Sequence, residues 1–166
     1  MELRRNMRSR RPDARSASDP LEVRGAALRL LARRDFASGE LRDRLEKRGF
    51  EPSAVSLAVT ELLQERALDD GRYVENYVRS RADRGEGPVK IRAELKGLGL
   101  PGDLIEAALA AVTDWASRAR MLRARRFGAD PPEDWPGKAR QARFLQYRGF
   151  SADHIRSALG ADIDLD

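Results

Sequence analysis

Apolar and polar positions along the chain repeat in a frame of 50 residues. Gly49, Gly99 and Gly149 mark this frame, and a Phe or Leu follows each of them. A leucine lies four residues before each glycine and a branched apolar residue lies six residues after it: Leu45, Leu95 and Leu145, then Val55, Ile105 and Ile155. Self-similarity at one fixed period is the signature of tandem structural repeats. The pattern therefore predicts one unit that occurs three times.

Each unit has the pattern of a helix, a glycine stop and a second helix. In the first copy Leu41 and Leu45 lie one helical turn apart, and Gly49 can adopt the positive φ that ends a helix at low cost. Pro52 suits the first turn of the next helix, where its missing N–H is not needed. The apolar residues that follow have helical spacing and form one stripe: Val55, Val59, Leu62 and Leu63.

A further helix precedes this pair in every copy, and the apolar spacing places these helices at about 22–34, 70–83 and 113–127. No segment has the alternation and β-branched enrichment that are typical of a strand. A unit of about 45 residues cannot hold a core well alone, so neighbouring units must share apolar surface. We therefore predict an all-α fold of three tandem three-helix repeats that form an elongated, curved right-handed superhelix.

The predicted organisation has five segments: a disordered basic arm at 1–20, repeat 1 at 21–67, repeat 2 at 68–112, repeat 3 at 113–160 and an acidic tail at 161–166. The arm contains Arg, Ser and Pro without apolar periodicity, which is why we predict disorder there.

The composition limits the kinds of partner, chemistry and cellular location that are expected for this chain. The net charge of +5 and the pI of about 10.0 favour an anionic partner. The chain has no Cys, which excludes disulfides and thiolate chemistry. No apolar run approaches membrane-spanning length, and no apolar region follows the N-terminal arginines as it would in a signal peptide. We expect a cytoplasmic protein, in monomeric form, without membrane association.

The residues that could carry catalysis are few. His154 is the single histidine, and Asp153 beside it does not complete a metal site. The segment 85–88 resembles a glycine loop but lacks the lysine and Ser/Thr that cradle phosphate. Asp69 and Asp70 are interpreted as helix caps, since the spacing of a calcium loop is missing. We therefore predict no enzyme activity, no cofactor and no metal.

Basic residues offer a better candidate site. Arg72 and Arg79 are spaced i, i+7 on the helix that begins near Asp70, and the positive charges continue into the next helix and into the helix at 113–127. The predicted partner-binding residues are Arg72, Arg79, Arg81, Arg84, Lys90, Arg92, Arg118, Arg120, Arg123 and Arg125. A merely solvated face is the alternative for such charges.

Several motifs occur in an order that is more specific than any one of them. They are Ala27-Leu28-x-x-Leu31, Leu45-x-x-x-Gly49-Phe50, Leu68-Asp69-Asp70-x-x-Tyr73, Tyr77-Val78-x-x-Arg81, Gly87-Pro88-x-x-Ile91-x-x-Glu94-Leu95, and Phe144-Leu145-x-x-Arg148-Gly149-Phe150-Ser151. Over about residues 24–160 the chain resembles the RecX family, small bacterial regulators of the RecA recombinase.

This resemblance implies a modulator rather than an enzyme. RecX-like proteins bind along the groove of the RecA–single-stranded DNA filament, block its extension and favour its disassembly. Recombination, ATP hydrolysis and the co-protease activity that triggers the SOS response fall accordingly. The implied partners are the RecA filament and single-stranded DNA, with the basic residues meeting an acidic filament surface or DNA phosphate.

Two other functions fit the composition. The first is a direct nucleic-acid-binding protein that uses a helix-turn-helix-like pair, which the short glycine-linked helices and the high pI permit. The second is a helical scaffold for an acidic protein. Binding to naked single strands would favour the first, and capture of a partner other than the recombinase would favour the second.

Overall fold

In the computed structural model, residues 12–13 and 17–160 are described, and these residues form nine α-helices and no strand. The helices are α1 (Pro20–Leu31), α2 (Ser38–Glu46), α3 (Pro52–Gln64), α4 (Asp70–Asp83), α5 (Pro88–Gly97), α6 (Gly102–Ala111), α7 (Trp115–Phe127), α8 (Trp135–Tyr147) and α9 (Ala152–Leu159). The chain divides into two compact units between Asp70 and Gly71. The predicted all-α fold with three helices in each of three repeats is confirmed. None of the described helices combines the length and the apolar character needed to cross a membrane.

The first unit is a three-helix group in which α3 packs against both α1 and α2. Its fully buried side chains include the leucines that the repeat frame singled out, Leu41 and Leu45, together with Val23, Val55 and Leu62. Apolar spacing of three and four residues on each helix places these side chains on one face, which explains why the helices form here and pack together.

The beginning of the first unit differs from the sequence prediction. The predicted disordered arm covers 1–20, of which 1–11 and 14–16 lie outside the described residues, as does the predicted tail at 161–166. Ala17 is only 6% exposed, and its carbonyl accepts a hydrogen bond from the Glu51 N–H at 2.9 Å. The Asp19 carboxylate accepts from the Leu21 N–H at 2.9 Å and caps α1, which starts at Pro20 and not at 22. A capping carboxylate followed by proline is a strong helix start, which the apolar pattern alone does not reveal.

The second unit begins at Gly71, in the first turn of α4, and contains the rest of that helix and α5 to α9. Helix α5 packs against α6, while α9 packs against both α7 and α8. The fully buried residues of this unit include Ile91, Leu95 and Ile105 in one repeat and Leu145 and Ile155 in the next. Leu95 and Leu145, and likewise Ile105 and Ile155, occupy equivalent places in the 50-residue frame, whereas the position of Ile91 is taken by the buried Gln141 in the next repeat.

The two repeats of the second unit meet backbone to backbone. The Gly87 N–H donates to the Arg148 carbonyl at 2.7 Å, and the Val89 N–H donates to the Gly149 carbonyl at 2.9 Å. A Cβ at Gly87 would lie 2.3 Å from the carbonyl carbon of Gly149. We call this contact the glycine seam: the α4–α5 connection, 85–89, packed on the α8–α9 turn, 148–150. Glycine is required here because no side chain fits between the two backbones.

Candidate partner-binding surface

Helix α4 presents the first group of predicted partner-binding residues. Asp70 in its first turn accepts hydrogen bonds from the backbone N–H and the hydroxyl of Ser38, at 2.8 and 2.7 Å. Val74, Val78 and Ala82 are buried and recur every four residues, which fixes the rotation of the helix. The opposite face is therefore exposed, and the side chains of Arg72, Arg79 and Arg84 are exposed to solvent.

Arg81 and Lys90 are less available, because both belong to a network of ion pairs around two glutamates. Arg81 lies 3.3 Å from Glu86 and 3.9 Å from Glu94, and Lys90 lies 3.6 Å from Glu86. The Tyr77 hydroxyl donates to Glu94 at 2.7 Å, and the Arg81 guanidinium lies 4.8 Å from the centroid of the Tyr77 ring. These groups bind α4 to α5 and hold the α4–α5 connection of the glycine seam.

The pKa values of this network reflect its packing. Burial and the hydrogen bond to Glu94 raise the pKa of Tyr77 to about 12. Burial alone would lower the pKa of Arg81, but the neighbouring hydroxyl and carboxylates outweigh it and raise that pKa. Tyr77 is therefore neutral and Arg81 is positively charged throughout the physiological pH range.

Two further predicted residues form ion pairs at the surface. Arg92 makes a two-pronged contact with Glu106, at 2.6 and 3.0 Å, which raises the pKa of the arginine. Arg118 contacts Asp114 at 2.8 Å and Asp83 at 3.1 Å. Their positive charges are largely compensated, so they contribute less to an anion-binding surface than an uncompensated arginine would.

The predicted arginines of α7 have three different environments. Arg120 is exposed, and its guanidinium donates to the Ser157 hydroxyl at 2.7 Å. Arg125 is exposed. Arg123, in contrast, is 4% exposed and donates to the carbonyls of Ala129 and Asp130, at 2.7 and 3.1 Å. Its predicted role as a partner contact does not fit this burial, and we remove it from the candidate surface.

The structure thus separates the ten predicted residues by exposure, and Arg123 is the one of them that is buried. Five have exposed side chains: Arg72, Arg79, Arg84, Arg120 and Arg125. Four are half-buried and engaged in ion pairs: Arg81, Lys90, Arg92 and Arg118. We use the term cationic face for these five exposed arginines, which lie on α4, on α7 or directly after α4 and do not all share one side of a helix.

Sequence reasoning missed two other groups of basic residues. In the first unit, burial lowers the pKa of Arg48 and the neighbouring charges of Arg44, Arg33 and Arg29 lower it further, so these four arginines form a basic cluster. In the second unit, α8 carries Lys138, Arg140 and Arg143. The signal for α8 was present, because neither 115–127 nor 135–147 contains an Asp or a Glu.

His154 caps the N-terminus of α9. The backbone N–H of His154 donates to the Ser151 hydroxyl at 3.3 Å, and the imidazole Nδ1 accepts from the Ser151 backbone N–H at 3.4 Å, which completes a capping box at the start of α9. Burial lowers the pKa of this imidazole, against the charge of Asp153, which raises it. An acceptor Nδ1 requires the neutral ring, in agreement with a lowered pKa. No described residues form a cluster that could hold a metal ion.

We expect this cap to weaken in acid. Because the folded-state pKa of His154 lies below its ordinary value of 6.5, the unfolded chain binds the proton more readily, and stability falls as the pH drops below that value. The measurement is the midpoint of thermal unfolding between pH 7 and pH 5. His154→Gln keeps a capping box with an uncharged acceptor and should flatten the histidine part of the pH dependence. Equal slopes for the two proteins would contradict the assignment.

The fold and the exposed arginines define the class of this protein: it is a helical-repeat protein with a positively charged surface. Models of the first, second and third three-helix domains of RecX match residues 24–62, 69–109 and 113–159. The chain belongs to the RecX family of regulatory proteins.

Individual relatives agree with this membership. The chain is 48% identical to the regulatory protein RecX of Halorhodospira halophila, over 84% of this chain and 87% of that one. It is 45% identical to regulatory protein RecX of Xanthomonas axonopodis pv. citri, over 83% and 86% of the two chains. The crystal structure of RecX from Lactobacillus salivarius has the same fold, with a TM-score of 0.75 at 24% identity, over 87% of this chain and 96% of that one.

Proposed function

We propose that this chain is a negative modulator of the RecA recombinase. It binds in the groove of the RecA–single-stranded DNA filament, blocks filament extension and promotes disassembly. Recombination, DNA-dependent ATP hydrolysis and the co-protease activity of the SOS response are thereby lowered. Membership in the RecX family and the motifs of the second repeat support this role.

One structural observation carries the proposal. Exposed arginines lie on the first helix of two successive repeats within the same unit, Arg72 and Arg79 on α4 and Arg120 and Arg125 on α7, although at different positions along the two helices. A filament is itself a repeat of identical subunits, so similar cationic helices can contact similar surfaces on successive subunits. Linked weak contacts of this kind reinforce one another through effective concentration.

The direct test is recombinase ATP hydrolysis on single-stranded DNA. We expect inhibition at amounts of this protein well below one per recombinase subunit, because a protein that blocks extension acts at few places along each filament. The matched recombinase from the same source is the appropriate target. Unchanged hydrolysis at every ratio, with a chain shown to be folded, would end the proposal.

We expect charge reversal on the cationic face to weaken inhibition. Arg79→Glu combined with Arg125→Glu should raise the concentration for half-inhibition by about tenfold or more, because like charges facing each other across an interface are costly. Lys47→Glu with Lys96→Glu is the matched control, since it makes the same change of charge at two exposed positions, directly after α2 and within α5. Equal inhibition by both double variants would show that the cationic face is not the contact.

A further inference from the structure

The exposed side of α8 has a composition that the cationic face lacks. Pro136, Arg140, Arg143 and Tyr147 are all exposed and are spaced by four, three and four residues, so they lie on one side of the helix. Trp135 stands at the N-terminal end of this side. Tyr147 is 84% exposed and Trp135 is 60% exposed, although such large aromatic side chains are usually packed. We call these five residues the α8 face.

Packing holds the α8 face in place. The other side of the helix carries Ala142 and Leu145, which are buried. Phe144 meets Phe127 of α7 edge to face, with ring centroids 5.3 Å apart, and the Arg140 guanidinium lies 5.7 Å from the centroid of the Phe127 ring. The basic and aromatic groups are therefore displayed on a rigid element, which reduces the entropy lost when a ligand binds.

The charged residues of α7 and α8 are all basic. Helices α7 and α8 contain no Asp or Glu, and the acidic residues of the intervening loop are Asp130, Glu133 and Asp134. Asp134 caps α8 by accepting from the Gly137 N–H, so part of its charge is used by the helix start. The Asp153 carboxylate of α9 is paired with Arg156. Arg140 and Arg143 consequently have no carboxylate partner among the ion pairs of the described residues.

We infer that the α8 face binds single-stranded nucleic acid. Arginines contact the phosphates, while the exposed rings of Tyr147 and Trp135 offer platforms on which unpaired bases stack. The face extends over about 18 Å from Trp135 to Tyr147, which spans about five phosphates at the stacked spacing. A duplex hides the faces of its bases, and an acidic protein would need the arginines but not two large aromatic side chains. The combination therefore fits a single strand best.

This inference is separate from the proposed function and is tested without recombinase. The probe is fluorescently labelled oligodeoxythymidylate, and affinity is measured by anisotropy over a range of salt concentrations. Arg140→Gln with Arg143→Gln should weaken binding by about tenfold or more and reduce the slope of log affinity against log salt by about 1.4, because two phosphate contacts are lost. Tyr147→Ala should weaken binding by about tenfold with little change in that slope, because stacking is not ionic.

Tryptophan fluorescence gives a second readout that reports stacking itself. The chain has two tryptophans, and Trp115 is buried with its indole N–H bound to the Leu109 carbonyl at 3.1 Å. Quenching on addition of the unlabelled oligonucleotide should therefore come from Trp135. Trp135→Phe should abolish the quenching and retain most of the affinity, since phenylalanine still offers a stacking face.

Three controls distinguish binding of a single strand from general charge attraction, from binding of duplex DNA and from binding of an acidic polypeptide. Lys47→Gln with Lys96→Gln removes the same charge from two exposed positions that belong neither to the α8 face nor to the cationic face. If this variant loses as much affinity as the α8 variant, general charge and not the α8 face is responsible, and the inference fails. Equal or tighter binding of duplex DNA, or competition by polyglutamate as strong as that by the oligonucleotide, would also overturn it.

Discussion

Replacing Gly149 with alanine should destabilise the second unit by about 2–4 kcal/mol, the largest stability change that we expect from the loss of a single glycine. Gly149 has a φ of +90°, which an alanine adopts only with strain. In addition, the new Cβ would lie 2.3 Å from the Lys90 Cβ and 2.7 Å from the Lys90 backbone nitrogen. Since Lys90 lies in the first turn of α5, the backbone at the glycine seam has to separate.

Two other glycines of the same unit separate the cost of backbone strain from the cost of the steric collision. Gly99 occupies the equivalent position in the preceding repeat and has a φ of +73°, but an added Cβ meets no described atom within 4 Å. Gly99→Ala should therefore cost only about 1 kcal/mol, which is the conformational part alone. Gly87 is the reverse case, because its φ of −90° is ordinary while its Cβ would collide with the Gly149 backbone. Gly87→Ala should cost about 1–3 kcal/mol.

The measurement is the free energy of unfolding from urea titration, with the slope of each transition checked for two-state behaviour. We expect the loss in free energy of unfolding to be smallest for Gly99→Ala, larger for Gly87→Ala and largest for Gly149→Ala. Equal costs for Gly99→Ala and Gly149→Ala would mean that the close backbone approach at the glycine seam contributes nothing, and the account of the seam would be wrong.

The sequence predicted the repeat and its interior well, because both depend on local rules. Positive φ at Gly49, Gly99 and Gly149 follows from the need to end a helix, and the structure has φ of +99°, +73° and +90° there. Helix α4 spans Asp70–Asp83 as predicted. The glycine seam was not predicted, because the α4–α5 connection and the α8–α9 turn are about 60 residues apart in the chain. Periodicity does not specify which loops meet across such a distance.

The candidate surface was harder to predict, because helical spacing does not show which charges are compensated. Arg92 and Arg118 look like neighbours of an open basic strip, yet Glu106 and Asp83 from other helices pair with them. The exposure of aromatic residues is equally hard to predict. The two tryptophans are alike in sequence terms, but Trp115 packs into the interior while Trp135 is exposed at the start of α8. Only the rotation of each helix against its neighbours separates the two cases.

Arg123 illustrates a signal that was present but was given too little weight. It follows Ala119 by four residues and Trp115 by eight, and all three are buried on one face of α7. Helical spacing alone therefore placed Arg123 on the apolar stripe. The side chain type argued for the surface, since arginine is rarely buried without partners. The partners exist, but they are backbone carbonyls of the loop after α7, which residue patterns do not reveal.

Arg123→Ala should consequently destabilise the second unit by about 2–4 kcal/mol. The substitution removes the donors for the Ala129 and Asp130 carbonyls and for the Gln141 side chain, whose oxygen lies 3.4 Å from the guanidinium. It also leaves a cavity between α7 and α8. The loop at 128–134 would lose the contact that holds it against α7, so amide hydrogen exchange there should accelerate more than elsewhere in the unit.

Two variants make this prediction specific. Arg125→Ala is the matched control on the same helix: its side chain is exposed, and its removal should change the free energy of unfolding by no more than about 0.5 kcal/mol. Arg123→Lys keeps the charge but lacks the planar fork that reaches two carbonyls at once, so it should recover only a small part of the loss. A fully stable Arg123→Ala protein with impaired partner binding would reverse the conclusion and return Arg123 to the binding surface.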